Sequence, residues 1–345
     1  MFQNFLCIAF DDEDTMTPAE RGMDDVSLRL ADILTEVGAR ACFNITGDKV
    51  RSLERRGRRD VIRAIARHSI GSHTNRGSHH PMVAEFVARQ DWDTAADYCL
   101  DEERVCLNDI QRVFGKEADL LHGHALRAIP PTVWAAGKLG KLHTDGPVLW
   151  VQKPSALRAP SEEYDSTSDR WCGFSWWCNT LCVSLSGPGE IVMDGQELDA
   201  LIQTTRSHYE RKPGLCNHPV YRCFALGHPM SYLAKHYEHP RRFFGTDQYW
   251  ALNGRTLPAL FYGKLGKPDI RSGEEMERIY AGFRRFVTEA LPGVNYRAPC
   301  ETAKWFSHQP SEIEFNRLVM HADLIQQRKD IVFDDMFSAA EILIG

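Results

Sequence analysis

Two short segments of the sequence concentrate side chains that bind metal ions. The first is CIAFDDED, residues 7–14, and it contains the adjacent carboxylates Asp11 and Asp12. The second is HSIGSHTNRGSHHP, residues 68–81, and it contains His73 and two further histidines at its end. Brought together, the segments would offer two carboxylates and two or three imidazoles at one point. Such a group of side chains suits a divalent metal ion that activates water.

Strand-like and helix-like segments alternate along the first half of the chain. Residues 5–10 and 41–46 are short apolar runs that predict strands, and residues 26–37 and 93–114 have the apolar spacing of amphipathic helices. This alternation predicts an α/β fold with a largely parallel sheet. In such sheets and barrels, functional groups collect at the carboxyl ends of the strands. Because the acidic and histidine segments each follow a predicted strand, we expect them at that common edge.

The composition is typical of a globular enzyme. The chain has 345 residues, of which 43% are hydrophobic and 26% charged, and its net charge is −6. This charge does not favour nucleic acid or an anionic membrane as a partner. The ten cysteines form no CxxC pair, which argues against a zinc ribbon. No apolar run reaches the length of a membrane span and no leader-like start is present, so we expect a cytoplasmic protein.

The second half of the chain has a less regular pattern. Residues 151–180 are rich in Ser, Pro and Trp and are predicted to form a long inserted loop, whereas residues 221–226 form the last clear strand pattern. We therefore predict one barrel domain over residues 1–235, with the insertion at about 151–180. Residues 236–345 are predicted to be a C-terminal extension packed on the barrel.

The order of these motifs resembles the NodB-homology polysaccharide deacetylase superfamily, which includes carbohydrate esterase family 4. The stretch AFDDED stands where that family has a TFDDGP-like motif, and RHSIGSHT followed by a later His-Pro matches its GHEIGxHTxxHP-like motif. The stretch ACFNITG is similar to the family's ATFFVTG segment. The resemblance covers about residues 1–140. It implies an irregular seven-stranded (β/α) barrel, with a long insertion and a C-terminal helical extension.

The resemblance also implies a set of metal ligands. Asp12, His73 and a second histidine would bind one divalent ion, which we expect to be zinc. The family's two histidines are four residues apart, whereas here His79 and His80 lie six and seven residues after His73. His80 is the favoured third ligand because a proline follows it, as in the family, and His79 is the alternative.

Two further roles follow from the same resemblance. Asp11 would be the general base that takes a proton from water, and His228, at the end of a predicted strand, is the candidate general acid. The family's Arg-Pro-Pro-Tyr motif is replaced here by LHGHALR, residues 121–127. His122 or His124 is therefore expected to act next to the ligands in place of the missing arginine.

The favoured function is a metal-dependent deacetylase that removes an acetyl group from an N-acetylated sugar or polysaccharide. Its expected partner is a glycan or another small-molecule substrate, and the sequence leaves a homo-oligomer open. One alternative is a phosphatase of the haloacid-dehalogenase type, because a strand is followed by Asp12-x-Asp14. Another is a non-catalytic barrel that binds a glycan or a metal ion without turnover.

Overall fold

The computed structural model describes residues 5–15, 19–77, 83–87, 90–123, 130–144, 174–177, 180–183, 191–211, 221–227, 229–233, 262–264, 267–268, 270–291, 293–296, 298 and 300–301. The strands are β1 (Phe5–Asp12), β2 (Ala41–Ile45), β3 (Ser69–Ser72), β4 (Leu120–His122), β5 (Leu142–Thr144), β6 (Phe174–Trp177), β7 (Thr180–Val183), β8 (Tyr221–Gly227), β9 (Tyr262–Lys264), β10 (Lys267–Pro268) and β11 (Asn295–Tyr296). The helices are α1 (Met23–Glu36), α2 (Gly47–Arg55), α3 (Arg59–Ile65), α4 (Val83–Val87), α5 (Trp92–Phe114), α6 (Pro130–Lys138), α7 (Gly195–Arg211), α8 (Pro229–Leu233) and α9 (Gly273–Glu289), and Ala19–Arg21 forms a 3-10 turn.

A largely parallel sheet organises the described part of the chain. Strands β1, β2, β3, β4, β5 and β7 are neighbours in that order and all pair in parallel. Strands β8 and β11 add to β1 in parallel, and within the described part of this sheet only β6 pairs antiparallel, with β7. Strands β9 and β10 form a separate antiparallel pair. The predicted α/β fold with a largely parallel sheet is therefore confirmed. The expected number of seven barrel strands stays a prediction.

The two faces of this sheet have different compositions. Side chains alternate between faces along a strand, and paired residues of neighbouring parallel strands share a face. On one face Phe10 and Phe43 stack with ring centroids 5.2 Å apart, and they belong to the apolar core formed with the helices. The opposite face carries Asp11 and its register partner Asn44. The apolar face thus supplies the packing, while the polar face offers groups for chemistry.

Helix α5 packs on the apolar face of β2 and β3. The Asp91 side chain accepts a hydrogen bond from the Thr94 N–H at the start of this helix, and Gly115 ends it with a φ of 69°, a conformation that suits glycine. Its buried residues recur at helical spacing and include Cys99, Glu103, Cys106 and Ile110. A buried glutamate on such a face is unusual and needs a polar partner in the sheet.

The C-terminal helix α9 packs into the same apolar core. Phe283 and Phe286 are fully buried, and the Phe283 ring meets the Phe10 ring edge-on at 5.9 Å. The predicted boundary between residues 235 and 236 lies outside the described residues, as does most of the predicted insertion, so the division into domains stays a prediction. No helix in the described ranges combines the length and the apolar composition that a membrane span needs.

Candidate metal centre

Three side chains from three strands meet at the carboxyl edge of the sheet. Asp11 lies near the end of β1, His73 directly follows β3, and His122 is the last residue of β4. The Nε2 atoms of His122 and His73 lie 3.4 Å and 3.7 Å from Asp11 Oδ2. One ligand atom from each residue lies within 4.8 Å of the other two, and all three side chains are buried. Asp11 and His73, both expected at this edge, therefore lie close together, and His122 is the third member of the group.

The spacing of these donor atoms fits a tetrahedral metal ion. Ligand atoms about 2.1 Å from a zinc ion at tetrahedral angles lie roughly 3.4 Å from one another. The two separations from Asp11 Oδ2, 3.4 Å and 3.7 Å, are close to this value. One carboxylate and two imidazoles also leave a fourth position for water, as catalytic zinc sites require. The residues present therefore fit a divalent ion such as zinc.

Hydrogen bonds on the far side of each ring hold the two histidines in a metal-binding orientation. His122 Nδ1 lies 2.7 Å from Thr144 Oγ1, and His73 Nδ1 lies 3.4 Å from the His122 carbonyl oxygen. A carbonyl oxygen only accepts hydrogen bonds, so the proton of a neutral His73 ring is held on Nδ1. The lone pair of Nε2 then faces Asp11, which is the tautomer that binds a metal ion.

Asn44 fixes the orientation of the Asp11 carboxylate. Its Nδ2 donates to Asp11 Oδ1 at 2.9 Å, and its own Oδ1 accepts from Cys42 Sγ at 3.3 Å. Gly71 makes room for this amide, because a Cβ atom there would lie 2.4 Å from Asn44 Oδ1. The pair of bonds orients the Asp11 carboxylate so that Oδ2 faces the histidines.

Asp12 lies on the other face of the sheet, away from this group. Its Oδ2 accepts a hydrogen bond from Ser27 Oγ at 2.7 Å, and its Oδ1 lies 3.3 Å from Lys49 Nζ. Lys49 Nζ also donates to Asp24 at 2.8 Å and to the Asp14 carbonyl oxygen at 3.0 Å. The sequence expectation placed Asp12 among the metal ligands, whereas the structure places it in a buried ion cluster beneath α1 and α2.

The reason is the alternation of side chains along β1. The strand continues through Asp12, which pairs with Ile45, so Asp11 and Asp12 point to opposite faces. Burial alone would lower the pKa of Lys49, but attraction to Asp12 and Asp24 raises it. Burial raises the pKa of Asp12, and the nearby Lys49 ammonium opposes this effect. The raised pKa keeps the buried Lys49 side chain positively charged beside Asp12.

No protein-family model and no curated protein matches the sequence. A protein from Mycobacterium smegmatis assigned as a polysaccharide deacetylase is similar in structure, with a TM-score of 0.47, 12% identity, and coverage of 88% of this chain and 90% of that one. A family 4 carbohydrate esterase from Streptomyces lividans has a TM-score of 0.35, 12% identity, and coverage of 66% and 81%.

A mutant pseudoenzyme of carbohydrate esterase family 4 with restored activity is also similar, with a TM-score of 0.36 and 14% identity. The match covers 66% of this chain and 57% of the pseudoenzyme chain. All three belong to the kind of protein that the motifs resemble. Their TM-scores lie below 0.5, so these superpositions by themselves assign no activity to this chain.

Several of the predicted site residues lie outside the part of the chain that the structure describes. These are His79, His80, His124 and His228, and their roles stay predictions. His122 was expected beside the ligands in place of an arginine, and it lies within the donor group. Strand β4 ends at His122, which places this residue at the carboxyl edge. Asn44 was not predicted, and the one signal for it is that it is a polar residue inside an otherwise apolar strand.

Proposed function

We propose that this protein is a metal-dependent deacetylase, in which Asp11, His73 and His122 bind one divalent ion, most simply zinc. The observation that carries the proposal is the set of three buried donor atoms at the carboxyl edge, with separations suited to tetrahedral coordination. When bound, such an ion lowers the pKa of water and polarises an acyl carbonyl. In this assignment Asp11 replaces Asp12 as the carboxylate ligand and is no longer the general base that was expected from the sequence. The ion itself would lower the pKa of the bound water enough for its proton to pass to solvent.

The residues of the chain have distinct tasks in the proposed reaction. Asp11 presents Oδ2 to the ion because Asn44 binds the other oxygen, and the two histidines present Nε2 because their Nδ1 atoms are engaged. Burial of all three side chains strengthens their electrostatic effect by excluding water. A general acid must still protonate the leaving amine, and His228 stays the candidate from the sequence.

The substrate class is proposed from the motifs. Both the acidic and the histidine segments resemble those of the NodB-homology superfamily, which favours an N-acetylated or O-acetylated carbohydrate as substrate. The phosphatase alternative is not favoured, because the Asp12 side chain is 1% exposed and bonded to Ser27 and Lys49 on the helix-facing side. A nucleophile in that place would not reach a phosphate ester.

The experiment is a measurement of acetate release by metal-stripped and metal-reloaded protein. Chitooligosaccharides and acetylated xylan would be the first substrates, with zinc and then cobalt added back after dialysis against a chelator. We expect stripping to abolish release, and reloading to restore it in the natural chain but not in a His122→Ala variant. Undiminished release by the stripped protein would contradict the proposal. Tight zinc binding without release from any acetylated glycan would instead favour the non-catalytic barrel.

A further inference from the structure

The segment that follows His73 has a strained backbone. Thr74 has a φ of 63°, the only positive φ at a non-glycine residue in the described ranges, and its side chain is 2% exposed. A β-branched residue resists this left-handed conformation, which persists only where surrounding contacts enforce it. Because Thr74 is the next residue after His73 in the chain, any relaxation of this strain would move the histidine ring relative to Asp11 and His122.

Backbone hydrogen bonds tie the strained segment to the start of α2. The Gly47 N–H donates to the Thr74 carbonyl at 3.1 Å, and the Asp48 N–H donates to the Asn75 carbonyl at 2.8 Å. The two segments approach so closely that a Cβ atom at Gly47 would lie 2.5 Å from Asn75 Oδ1. Glycine at position 47 is therefore required by the contact itself.

Arg51 adds a side-chain clamp to these backbone bonds. Its Nη1 donates to Asn75 Oδ1 at 2.8 Å, and its Nη2 lies 3.4 Å from the Asn75 carbonyl oxygen. Asp48 and Asp109 bind the same guanidinium group from α2 and α5. The planar fork of an arginine is well suited to holding several acceptors in one fixed geometry. Asn75 itself is buried, and its Nδ2 donates to Glu102 at 3.1 Å.

We propose that Arg51 and Asn75 are positioning residues, which hold His73 in its metal-binding orientation by enforcing the conformation that Thr74 resists. The inference rests on the proposed function only in taking His73 as a metal ligand. Arg51 bonds to Asn75, Asp48 and Asp109 and to none of the three donor residues, so its effect on the metal centre would pass through the backbone of residues 74 and 75.

Arg112 offers a matched control for Arg51. It also lies between α2 and α5, where it pairs with Glu54 and with Asp109, the same aspartate that Arg51 contacts. Among the described residues, none of its hydrogen bonds or ion pairs reaches the His73 segment. We would measure zinc affinity by competition with a chromogenic chelator, together with the melting temperature of the metal-free protein. We expect Arg51→Met to weaken zinc binding about tenfold, which is the size of loss typical when a group that supports a metal ligand is removed. Arg112→Met should leave the zinc affinity unchanged.

A rescue experiment tests the route of the effect. Glycine adopts positive φ without strain, so Thr74→Gly in the Arg51→Met background should restore most of the zinc affinity. Equal affinities of Arg51→Met and the natural chain, or absence of rescue, would overturn the proposal. If Arg51→Met folds poorly, the zinc affinity of Asn75→Ala can be compared with that of the natural chain instead, because this variant leaves the ion pairs of Arg51 in place. Failure of the natural chain to bind zinc would contradict the proposed metal centre instead, so the two failures are distinguishable.

Discussion

Asp11 and Asp12 are consecutive residues of β1, yet they face different partners on opposite sides of the sheet. Asp11 Oδ2 lies 3.4 Å from His122 Nε2 at the candidate metal centre, whereas Asp12 Oδ1 lies 3.3 Å from the ammonium of Lys49. The sheet thus separates two adjacent carboxylates and gives each its own partner. Asp11 faces two histidines, and Asp12 faces a buried ammonium group.

The separation predicts opposite effects for two conservative substitutions. Asp11→Asn should abolish zinc binding and activity while leaving the fold intact, because an amide is a poor zinc ligand. Asp12→Asn should retain zinc but lower the free energy of unfolding by roughly 3 kcal/mol, since it breaks a buried ion pair. Calorimetric zinc titration and denaturant unfolding would measure both quantities. Loss of zinc by the Asp12 variant, with zinc retained by the Asp11 variant, would reverse this assignment.

The sequence predicted the α/β architecture and the carboxyl-edge location because both depend on local patterns. The apolar runs and helical spacings are readable without knowing any contact, and His73 follows its strand directly, as expected. What the sequence could not show was the last paired residue of β1. If β1 ended one residue earlier, at Asp11, both carboxylates could turn towards one site. Intrinsic strand propensities do not show which of the two aspartates is the last paired residue.

Long-range partners were likewise hidden in the sequence. Lysine side chains are usually exposed, but the folded chain buries Lys49 fully against Asp12 and Asp24. Thr144 comes 22 residues after His122 and meets it only because β4 and β5 pair in register. Contacts of this kind follow from strand order, which a single sequence does not reveal.

Asn44 should control the affinity of the centre through Asp11. Asn44→Leu removes the donor to Asp11 Oδ1, so the carboxylate loses its fixed orientation, and we expect zinc binding to weaken by about 10- to 100-fold. Cys42→Ala is the matched control, because it removes a partner of the Asn44 amide without touching Asp11. Its effect should be much smaller. Equal affinities of Asn44→Leu and the natural chain would show that Asp11 needs no such support.

Thr144 should act on the His122 ring through the hydroxyl group alone. Thr144→Val keeps the shape of the side chain but removes the partner of His122 Nδ1, whereas Thr144→Ser keeps the hydroxyl. We expect the valine variant to bind zinc about tenfold more weakly and the serine variant to bind it nearly as tightly as the natural chain. Chelator competition would measure both affinities. Equal losses in the two variants would point to packing rather than the hydrogen bond.

Glu103 of α5 is the polar group buried directly behind the histidine segment. Its Oε2 accepts a hydrogen bond from Ser72 Oγ at 2.6 Å, and Ser72 immediately precedes His73. Burial raises the pKa of Glu103 to about 7, and the bond from Ser72 only partly opposes this rise. The folded protein therefore holds a proton here that the unfolded chain releases at lower pH.

This proton predicts a fall in stability with rising pH. The contribution of Glu103 is fully present below its usual pKa near 4.5 and is lost as the pH rises through about 7. Over this pH range the free energy of unfolding should fall by about 3 kcal/mol, because each unit of pKa shift corresponds to about 1.4 kcal/mol. Glu103→Gln, which stays neutral and can still accept from Ser72, should flatten this part of the profile in denaturant unfolding between pH 5 and 8. Glu277→Gln, on the exposed side of α9, should keep the slope of the natural chain. A Glu103→Gln variant with the natural slope would mean that another group holds the proton.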